Sequence, residues 1–292
     1  MANRRAIVKR RKAVRNIKKI TRTMQLIATA RFQSAMNRAV RTRPYTDKLA
    51  ELIEDLSGVT GDYEHPLMQP SDSKRSALVV LTSNRGLCGG YNANVIRTAN
   101  AHLKAQKASG LETDVYMVGR KGLSAFKFSG RDVERQILDI DDKPRFEQVE
   151  PIAQELIDEF TAGRLGSVYV AYMRFYSPGK QLPEIFQLLP LSREETAGEA
   201  EEETGAQGIY EIQPSPEELL ERLLPAAVRM RLFQSFNDAA VSEQIARMAA
   251  MKAATEAAEE MIGNLTREYN RARQSQITLE LLDIVGGANA LA

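Results

Sequence analysis

A glycine-rich segment, SNRGLCGGYN at residues 83–92, holds the residue types in this sequence that are most typical of binding chemistry. It follows the apolar run ALVVLT and precedes a predicted helix, which is where nucleotide-binding proteins place a loop that cradles phosphate. A Walker loop needs G-x-x-x-x-G-K-[ST], and a dinucleotide fingerprint needs G-x-G-x-x-G. The glycines here are Gly86, Gly89 and Gly90, and no Lys-Ser or Lys-Thr pair follows them. We therefore interpret the segment as a tight strand-to-helix turn rather than as a nucleotide site.

Residues that could form other catalytic or metal sites are scarce. The chain of 292 residues has one cysteine, Cys88, and two histidines, His65 and His102. A single cysteine excludes an internal disulfide, and two separate histidines do not make a zinc-type cluster. We find no constellation of His, Cys or Lys residues that would make a convergent polar site. The sequence thus predicts no catalytic residue, no cofactor and no metal.

The composition is that of a folded protein, with 43% hydrophobic and 27% charged residues. No apolar run approaches the ~20 residues that a membrane span needs, and the amino terminus lacks the apolar core of a signal peptide. We expect a cytoplasmic protein, or one that is bound to a membrane only through partners.

Positive charge is concentrated at the amino terminus, where fourteen basic residues precede the first acid, Asp47. An apolar stripe with helical spacing runs between them, so the segment is predicted to be a long amphipathic helix. Pro44 is expected to kink or restart this helix, which continues to a stop at Gly58 and defines an N-terminal coiled-coil segment, 1–58. The predicted stripe comprises Ile7, Val14, Ile17, Met24 and Ile27.

The middle of the chain alternates strand-like and helix-like segments over residues 74–191. This order predicts an α/β, Rossmann-like domain with a partly parallel sheet, whose last two strands form an antiparallel edge. The glutamate-rich stretch that follows, residues 192–209, has the composition of a flexible loop.

A capping box begins the last helix, because Ser215 stands at the cap, Pro216 at the first helical position and Glu218 three residues after the serine. The pattern continues over residues 215–292. A helix of this length needs a partner, so we predict an antiparallel coiled coil with the N-terminal helix, in which paired residue numbers sum to about 273. The predicted fold is thus α+β, with a long terminal coiled coil and a central α/β domain.

The same register leaves the last twenty residues without a partner in the chain. Apolar residues point in every direction around this predicted single-helix tip, and such a helix belongs inside another structure. Another protein must therefore cover it. The apolar residues are Ile277, Leu279, Leu281, Leu282, Ile284, Val285 and Leu291.

From the residues alone, other functions remain open. The α/β segment is compatible with a nucleotide enzyme, and the basic helix is compatible with nucleic-acid binding, although Phe32 is the only aromatic residue among its basic residues. The basic, acid-free stretch is also compatible with a transit peptide, against which its predicted pairing with the last helix argues.

Four segments, KKITRTMQLIATAR, SNRGLCGGYN, SEQIARMAAMKAAT and ITLELLDIVGGA, resemble the gamma subunit of the F-type ATP synthase. The resemblance runs over nearly the whole chain. Asn84 stands where that family usually has an aspartate. The resemblance implies a non-catalytic rotor shaft that couples transmembrane proton flow to ATP synthesis and hydrolysis. It also implies as partners the alpha and beta subunits of the catalytic ring, the epsilon subunit and the membrane ring of c subunits, with no nucleic acid.

The resemblance further implies three sets of contact residues and a location. The location is peripheral, on the cytoplasmic face of the bacterial plasma membrane. Loops of the beta subunits would contact Arg273, Gln274, Thr278 and Glu280. The neck of the shaft would contain Lys19, Arg22, Met24 and Arg247. The foot on the rotor ring would include Tyr210 and Glu211.

Overall fold

The computed structural model describes residues 4–60, 65–191 and 215–291. Two long terminal helices and a central mixed sheet confirm the predicted α+β class. The acidic stretch 192–209 lies outside the described residues. In chain order the elements are α1 (Arg4–Thr60), β1 (Arg75–Leu81), α2 (Tyr91–Ala108), β2 (Glu112–Val118), α3 (Arg120–Phe128), β3 (Arg135–Ile137), α4 (Phe146–Thr161), β4 (Ser167–Ser177), β5 (Lys180–Leu189) and α5 (Pro216–Leu291).

The chain divides into two compact units. The first, which we call the outer unit, combines Met1–Thr29 with Arg247–Ala292, and the second, the inner unit, is Ala30–Ala246. Each therefore contains a part of both long helices.

In the outer unit the two helices are antiparallel. Thr255 Oγ1 donates to Thr21 Oγ1 at 2.8 Å, and Lys18 Nζ lies 2.6 Å from Glu259 Oε1. These pairs sum to 276 (21 + 255) and 277 (18 + 259), a shift of three to four residues from the predicted register, which is one helical turn.

The buried seam of α1 differs from the predicted stripe. Ile7 and Val14 are buried as expected, but Ile17 and Ile27 are about half exposed, at 51% and 48%. The seam continues instead through small residues at a spacing of seven, Thr21 and Ala28. A strict seven-residue repeat keeps one face towards the partner helix, and small side chains let the backbones approach.

In the inner unit the sheet has the order β3-β2-β1-β4-β5. Strand β1 pairs in parallel with both β2 and β4, β2 pairs in parallel with β3, and β5 is antiparallel to β4. The predicted antiparallel edge is thus present. Strand β1 is buried at six of its seven residues, as expected for a parallel strand that is covered on both faces.

Two apolar cores cover the two faces of this sheet. One contains Leu78 and Val80 of β1 with side chains of α2 and α3. The other contains Val79 and Leu81 with α4, with Leu49–Leu56 of α1 and with Leu220–Phe236 of α5. The inner parts of both long helices are therefore packed on the sheet and form a single core with it.

Two local expectations are corrected. Helix α1 does not restart at Pro44 but continues through it. A proline has no amide hydrogen, so the carbonyl of Val40, four residues earlier, loses its hydrogen-bond donor. Both residues are exposed, so water can bind to this carbonyl instead. Strand β3 was not predicted, since three residues are too few to show a strand pattern. At the start of α5, by contrast, Glu218 N donates to Ser215 Oγ at 3.2 Å, as the cap signature predicts.

Gly119, between β2 and α3, is expected to tolerate substitution poorly. Its φ is +89°, and a Cβ there would lie 2.1 Å from the carbonyl oxygen of Thr82. Backbone must move to relieve this contact, so Gly119→Ala should lower the free energy of unfolding by more than ~3 kcal/mol. Thermal or denaturant unfolding of the purified chain measures the change.

Gly110 is the matched control, because its φ of +75° is similar but a Cβ there would meet nothing within 4 Å. Gly110→Ala should cost only the ~1–2 kcal/mol of the left-handed conformation. Equal losses in the two variants would contradict the role of close packing at Gly119.

Candidate partner-binding surfaces

The carboxyl-terminal part of α5 is a single exposed helix. Each residue from 273 to 286 is exposed in the isolated chain. Six large apolar side chains are between 41% and 69% exposed: Ile277, Leu279, Leu281, Leu282, Ile284 and Val285. An apolar surface of this size that the rest of the described chain leaves exposed is typical of a site for binding another protein.

The predicted beta-subunit contacts, Arg273, Gln274, Thr278 and Glu280, all lie on this tip and are exposed. Thr278 Oγ1 donates to the carbonyl of Gln274 at 3.0 Å, and Gln276 Nε2 donates to Glu280 Oε1 at 2.9 Å. These bonds lie within single turns of the helix, so they leave the charged groups of Arg273 and Glu280 accessible to a partner.

The outer part of α1 presents a cationic surface. Residues 4–29 contain ten basic residues and no acid. Eight are exposed: Arg4, Arg5, Lys9, Arg10, Lys12, Arg15, Lys19 and Arg22. Exposed apolar side chains, including Ile17 and Ile20, interrupt this surface. The combination fits an acidic partner surface with apolar contacts.

Part of this charge is compensated within the unit. Lys18 forms the ion pair with Glu259 and thereby lowers the pKa of that carboxyl group. The guanidinium carbons of Arg4 and Arg11 lie 5.8 and 5.0 Å from the centroid of the Tyr269 ring. Such cation–π contacts hold side chains in place without neutralising them.

The four predicted neck residues all fall in the outer unit but have different environments. Lys19 and Arg22 are exposed, Met24 is half-buried, and Arg247 is 8% exposed. Lys19 and Arg22 are thus available to a partner. The burial of Arg247 is compatible with a structural role inside the helix pair.

The glycine-rich segment is a turn between β1 and α2, closed by its own side chains. Ser83 N donates to Asn92 Oδ1 at 2.9 Å, and Asn92 Nδ2 lies 3.1 Å from Cys88 Sγ. Of the three glycines only Gly89 has a positive φ, and Leu87 adopts one as well. The Ser83 amide that could face a phosphate already has an internal partner.

A cavity of about 40 Å³ lies at the carboxyl ends of β1 and β2, lined in part by Thr82, Asn84, Arg85 and Asp141. This volume holds a few water molecules, whereas small-molecule pockets enclose ~300–1,000 Å³. Among the described residues, moreover, no three His, Cys, Asp or Glu side chains gather into a group that could hold a metal ion. The geometry here gives no support to a nucleotide enzyme.

Sequence reasoning missed a polar cluster around Asp142, which contacts Arg31 and Arg38 of α1 and Gln244 of α5. The two arginines were counted only as members of the basic run. Their contacts join residues more than one hundred positions apart, so local patterns could not show them. The sequence contains one signal of this cluster, the absence of acidic residues near Arg31 and Arg38 in α1. An arginine that is half-buried needs an anionic or carbonyl partner, which must then come from another part of the chain.

Tyr210 and Glu211, the predicted foot residues, lie outside the described residues. Within the helices that are described, none has a stretch of the length and hydropathy needed to cross a bilayer.

Comparison with known proteins gives concordant results. A family described as ATP synthase matches residues 3–291. The ATP synthase gamma chain of Rhodopirellula baltica is 44% identical over 296 residues, covering 100% of this chain and 99% of the relative, and that of Leptospira biflexa is 38% identical over 293 residues, covering 100% of both.

Solved structures agree in fold. A chain of the Euglena gracilis mitochondrial ATP synthase matches with a TM-score of 0.68 at 20% identity, covering 99% of this chain and 94% of that one. A chain from the central stalk and c-ring of the Tetrahymena thermophila mitochondrial enzyme matches with a TM-score of 0.60 at 21% identity, covering 80% and 99%. Since sequence relatives match from end to end, this chain belongs to the ATP synthase gamma chain family.

Proposed function

We propose that this chain is the central rotor shaft of an F-type ATP synthase, without catalytic residues of its own. It couples proton flow across the membrane to ATP synthesis, and ATP hydrolysis to rotation in the opposite direction. The observation that carries this proposal is the exposed apolar tip of α5, with six large apolar side chains that no other described part of the chain covers. A helix that is apolar on all sides needs a protein environment that surrounds it.

The ring of alpha and beta subunits would surround the tip of α5. Fully burying one such aliphatic side chain is worth ~1.5–3 kcal/mol, so covering six provides a large driving force for insertion. In this arrangement Arg273, Gln274, Thr278 and Glu280 contact loops of the beta subunits. All four side chains are exposed, which supports this assignment.

The neck of the shaft would be the outer unit near Lys19, Arg22, Met24 and Arg247. Its cationic surface supports a beta-subunit partner with acidic segments, because no acid lies between residues 4 and 29 to compensate the charge. Lys19 and Arg22 would face those segments. Met24 and Arg247 would hold the helix pair where it leaves the ring.

The coupling mechanism follows from linkage between shaft orientation and nucleotide affinity. An asymmetric shaft inside a three-fold ring touches three identical sites differently, so its contacts favour different nucleotide states at each site. Shifting one site from 1:99 to 99:1 requires about 5.5 kcal/mol of differential contact energy, which several modest contacts can supply. Because the coupling is reciprocal, torque can release ATP and hydrolysis can turn the shaft.

The remaining partners and the domain assignments belong to the same proposal. The segments are 1–58 and 215–292 for the coiled coil with its tip, 74–191 for the α/β domain, and 192–209 for an acidic flexible loop. Tyr210 and Glu211 would rest on the ring of c subunits, and the epsilon subunit would bind near this foot. The whole would lie on the cytoplasmic face of a bacterial plasma membrane, attached only through the complex.

Purification of the chain from its own cells tests the proposal. An affinity tag on the gamma chain should recover alpha and beta subunits in a three-to-one ratio to it, as a ring around one shaft requires. A probe on the immobilised complex should then rotate when ATP is added. Recovery of the chain as a stable monomer, with its tip folded on its own α/β domain, would refute the rotor function.

A further inference from the structure

The turn between β3 and α4, residues Ile140–Asp142, is held on one side by Asn84 of the glycine-rich turn. Asn84 Nδ2 donates to the carbonyl of Ile140 at 2.9 Å and lies 3.1 Å from Asp141 Oδ1. Its Oδ1 accepts from the backbone amide of Arg120 at 3.1 Å. Asn84 therefore uses both ends of its amide, which an aspartate could not do, since an ionised carboxylate only accepts.

On the other side of the turn, Asp142 holds both long helices. Its carboxylate forms an ion pair with Arg31 of α1, and its carbonyl accepts from Arg38 NH2 at 3.2 Å. Gln244 Nε2 of α5 lies 3.5 Å from Asp142 Oδ2. Arg31 and Arg38 are seven residues apart, which is about two helical turns, so Asp142 contacts one face of α1 at two points.

These contacts are partly shielded from water. The Asp142 side chain is 20% exposed, and burial lowers the pKa of Arg38 while the Asp142 carboxylate opposes this shift. Arg38 Nε is buried and, among the described residues, has no hydrogen-bond partner. Removing the Asp142 side chain would leave Arg31 without its ion pair and the half-buried Arg38 without a nearby negative charge, although the backbone carbonyl would still accept from Arg38. Such a loss is more costly than that of a surface ion pair.

The rest of the contact between the α/β domain and the long helices is mainly apolar. A few hydrogen bonds accompany it, such as that from Ser242 Oγ of α5 to the carbonyl of Met173 and those from Arg229 to Gln154 Oε1. Apolar packing resists separation, but the hydrophobic effect is non-directional, so it opposes sliding and twisting about a helix axis weakly. Ion pairs and hydrogen bonds have preferred directions and fix orientation. The Asp142 contacts are thus suited to carry a twisting load between the α/β domain and the helices.

We propose that Asp142 is a positioning residue for torque transmission, and that Asn84 fixes the turn from which it acts. The proposal rests on the rotor function above. When the helices are driven at one end and the α/β domain at the other, Asp142 limits the angle by which the two slip. The glycine-rich turn thereby holds the turn that contains Asp142 in a fixed position.

The test measures torsional stiffness in the assembled complex. The ring is immobilised, a probe is attached through Ser109→Cys on the exposed end of α2, and the shaft is arrested by a non-hydrolysable nucleotide. The variance of the probe angle is inversely proportional to stiffness. Asp142→Ala should raise this variance roughly twofold, because it removes the carboxylate contacts with Arg31 and Gln244 together. Asp142→Glu, which keeps the carboxylate, should restore much of the stiffness.

Glu159→Gln is the matched control. It weakens an ion pair with Arg164, 2.5 Å from Nε to Oε2, that lies wholly within the α/β domain. It should leave the variance at the wild-type value. Since only assembled complexes hold the probe on the immobilised ring, a general loss of folding lowers the number of molecules counted but not the stiffness of each.

If Asp142→Ala gives no complex at all, Asn84→Ala provides the same test. It leaves Asp142 in place but removes the contacts of Asn84 with Ile140, Asp141 and Arg120, and should also raise the variance. Wild-type variance in whichever of these variants assembles overturns the proposal for Asp142. A wild-type complex in which the probe does not rotate with ATP refutes the rotor function instead, so the two failures are distinguishable.

Discussion

Ending the chain after Ala272 is expected to abolish proton-driven ATP synthesis in membrane vesicles. The deletion removes all six exposed apolar side chains of the tip together with the four proposed beta-subunit contacts. At ~1.5–3 kcal/mol for each buried aliphatic side chain, the loss exceeds what the remaining contacts can replace, and synthesis should fall by more than tenfold. The rate of ATP formation per assembled complex, with an imposed proton gradient, measures the effect.

A shorter deletion is the control for this experiment. Ending the chain after Gly286 removes the last six residues but retains every apolar side chain from Ile277 to Val285. This variant should keep most of its synthesis rate. If the longer deletion also retained a near-normal rate, the apolar tip could not be the part of the shaft that engages the ring.

The isolated chain offers an independent measurement of the same surface. Exposed apolar helices bind hydrophobic dyes and self-associate, so the full-length chain should do both. The chain that ends after Ala272 should do both to a smaller extent, because the six side chains of the tip are absent while exposed residues of α1 such as Ile17 and Ile20 remain. Similar dye binding by the two chains would locate the apolar surface elsewhere.

The features that could be predicted from the sequence are those encoded by neighbouring residues. The cap at Ser215 is an example, since its hydroxyl bonds an amide only three residues away. The parallel strand β1 is another, because the five consecutive apolar residues from Ala77 to Leu81 are all buried and need covering on both faces. The unpaired tip was also predictable, from apolar residues that surround the whole helix.

The errors in the α1 seam have a physical cause that is specific to subunits of assemblies. The prediction equated large apolar residues with buried ones, and therefore chose Ile17 and Ile27. In the chain these are exposed, whereas Thr21 and Ala28 are buried. A helix that binds its partner helix on one face and another protein on a second face has two apolar surfaces, and a single sequence does not distinguish them.

Long-range polar contacts were the least predictable feature. Asp142 lies in a short turn, DIDDKP, whose acids resemble any solvated loop. Its partners Arg31 and Arg38 lie in a run of basic residues that resembles a solvated face. Only the fold brings them together, so their roles emerge from contacts and not from composition.

The second large effect is expected at Ala28, in the seam of the outer unit. Ala28 is completely buried, and its small side chain lies on the face of α1 that meets α5. Ala28→Glu would place a carboxylate there without a partner, at a cost of about 3–5 kcal/mol. Since the two helices are held by a seam of mostly small residues, we expect their pairing in the outer unit to open.

Hydrogen exchange of the full-length chain measures this opening. Backbone amides of residues 4–29 and 247–272 should exchange at least ~100-fold faster in Ala28→Glu than in the wild type, while amides of the sheet keep their protection. Ala13→Glu is the control, because Ala13 lies on the same helix in the same unit but is exposed. Its carboxylate also falls among basic residues, so protection should be unchanged or slightly higher.

The same variant connects the stability of the outer unit to rotation. A shaft whose helices separate within the outer unit cannot hold three nucleotide sites in different states, because its contacts no longer have a fixed orientation. Complexes that carry Ala28→Glu should therefore hydrolyse ATP without pumping protons. Complexes that carry Ala13→Glu should retain proton pumping, because their seam is intact. Full pumping by Ala28→Glu complexes would mean that the helix pair transmits torque without a closed seam.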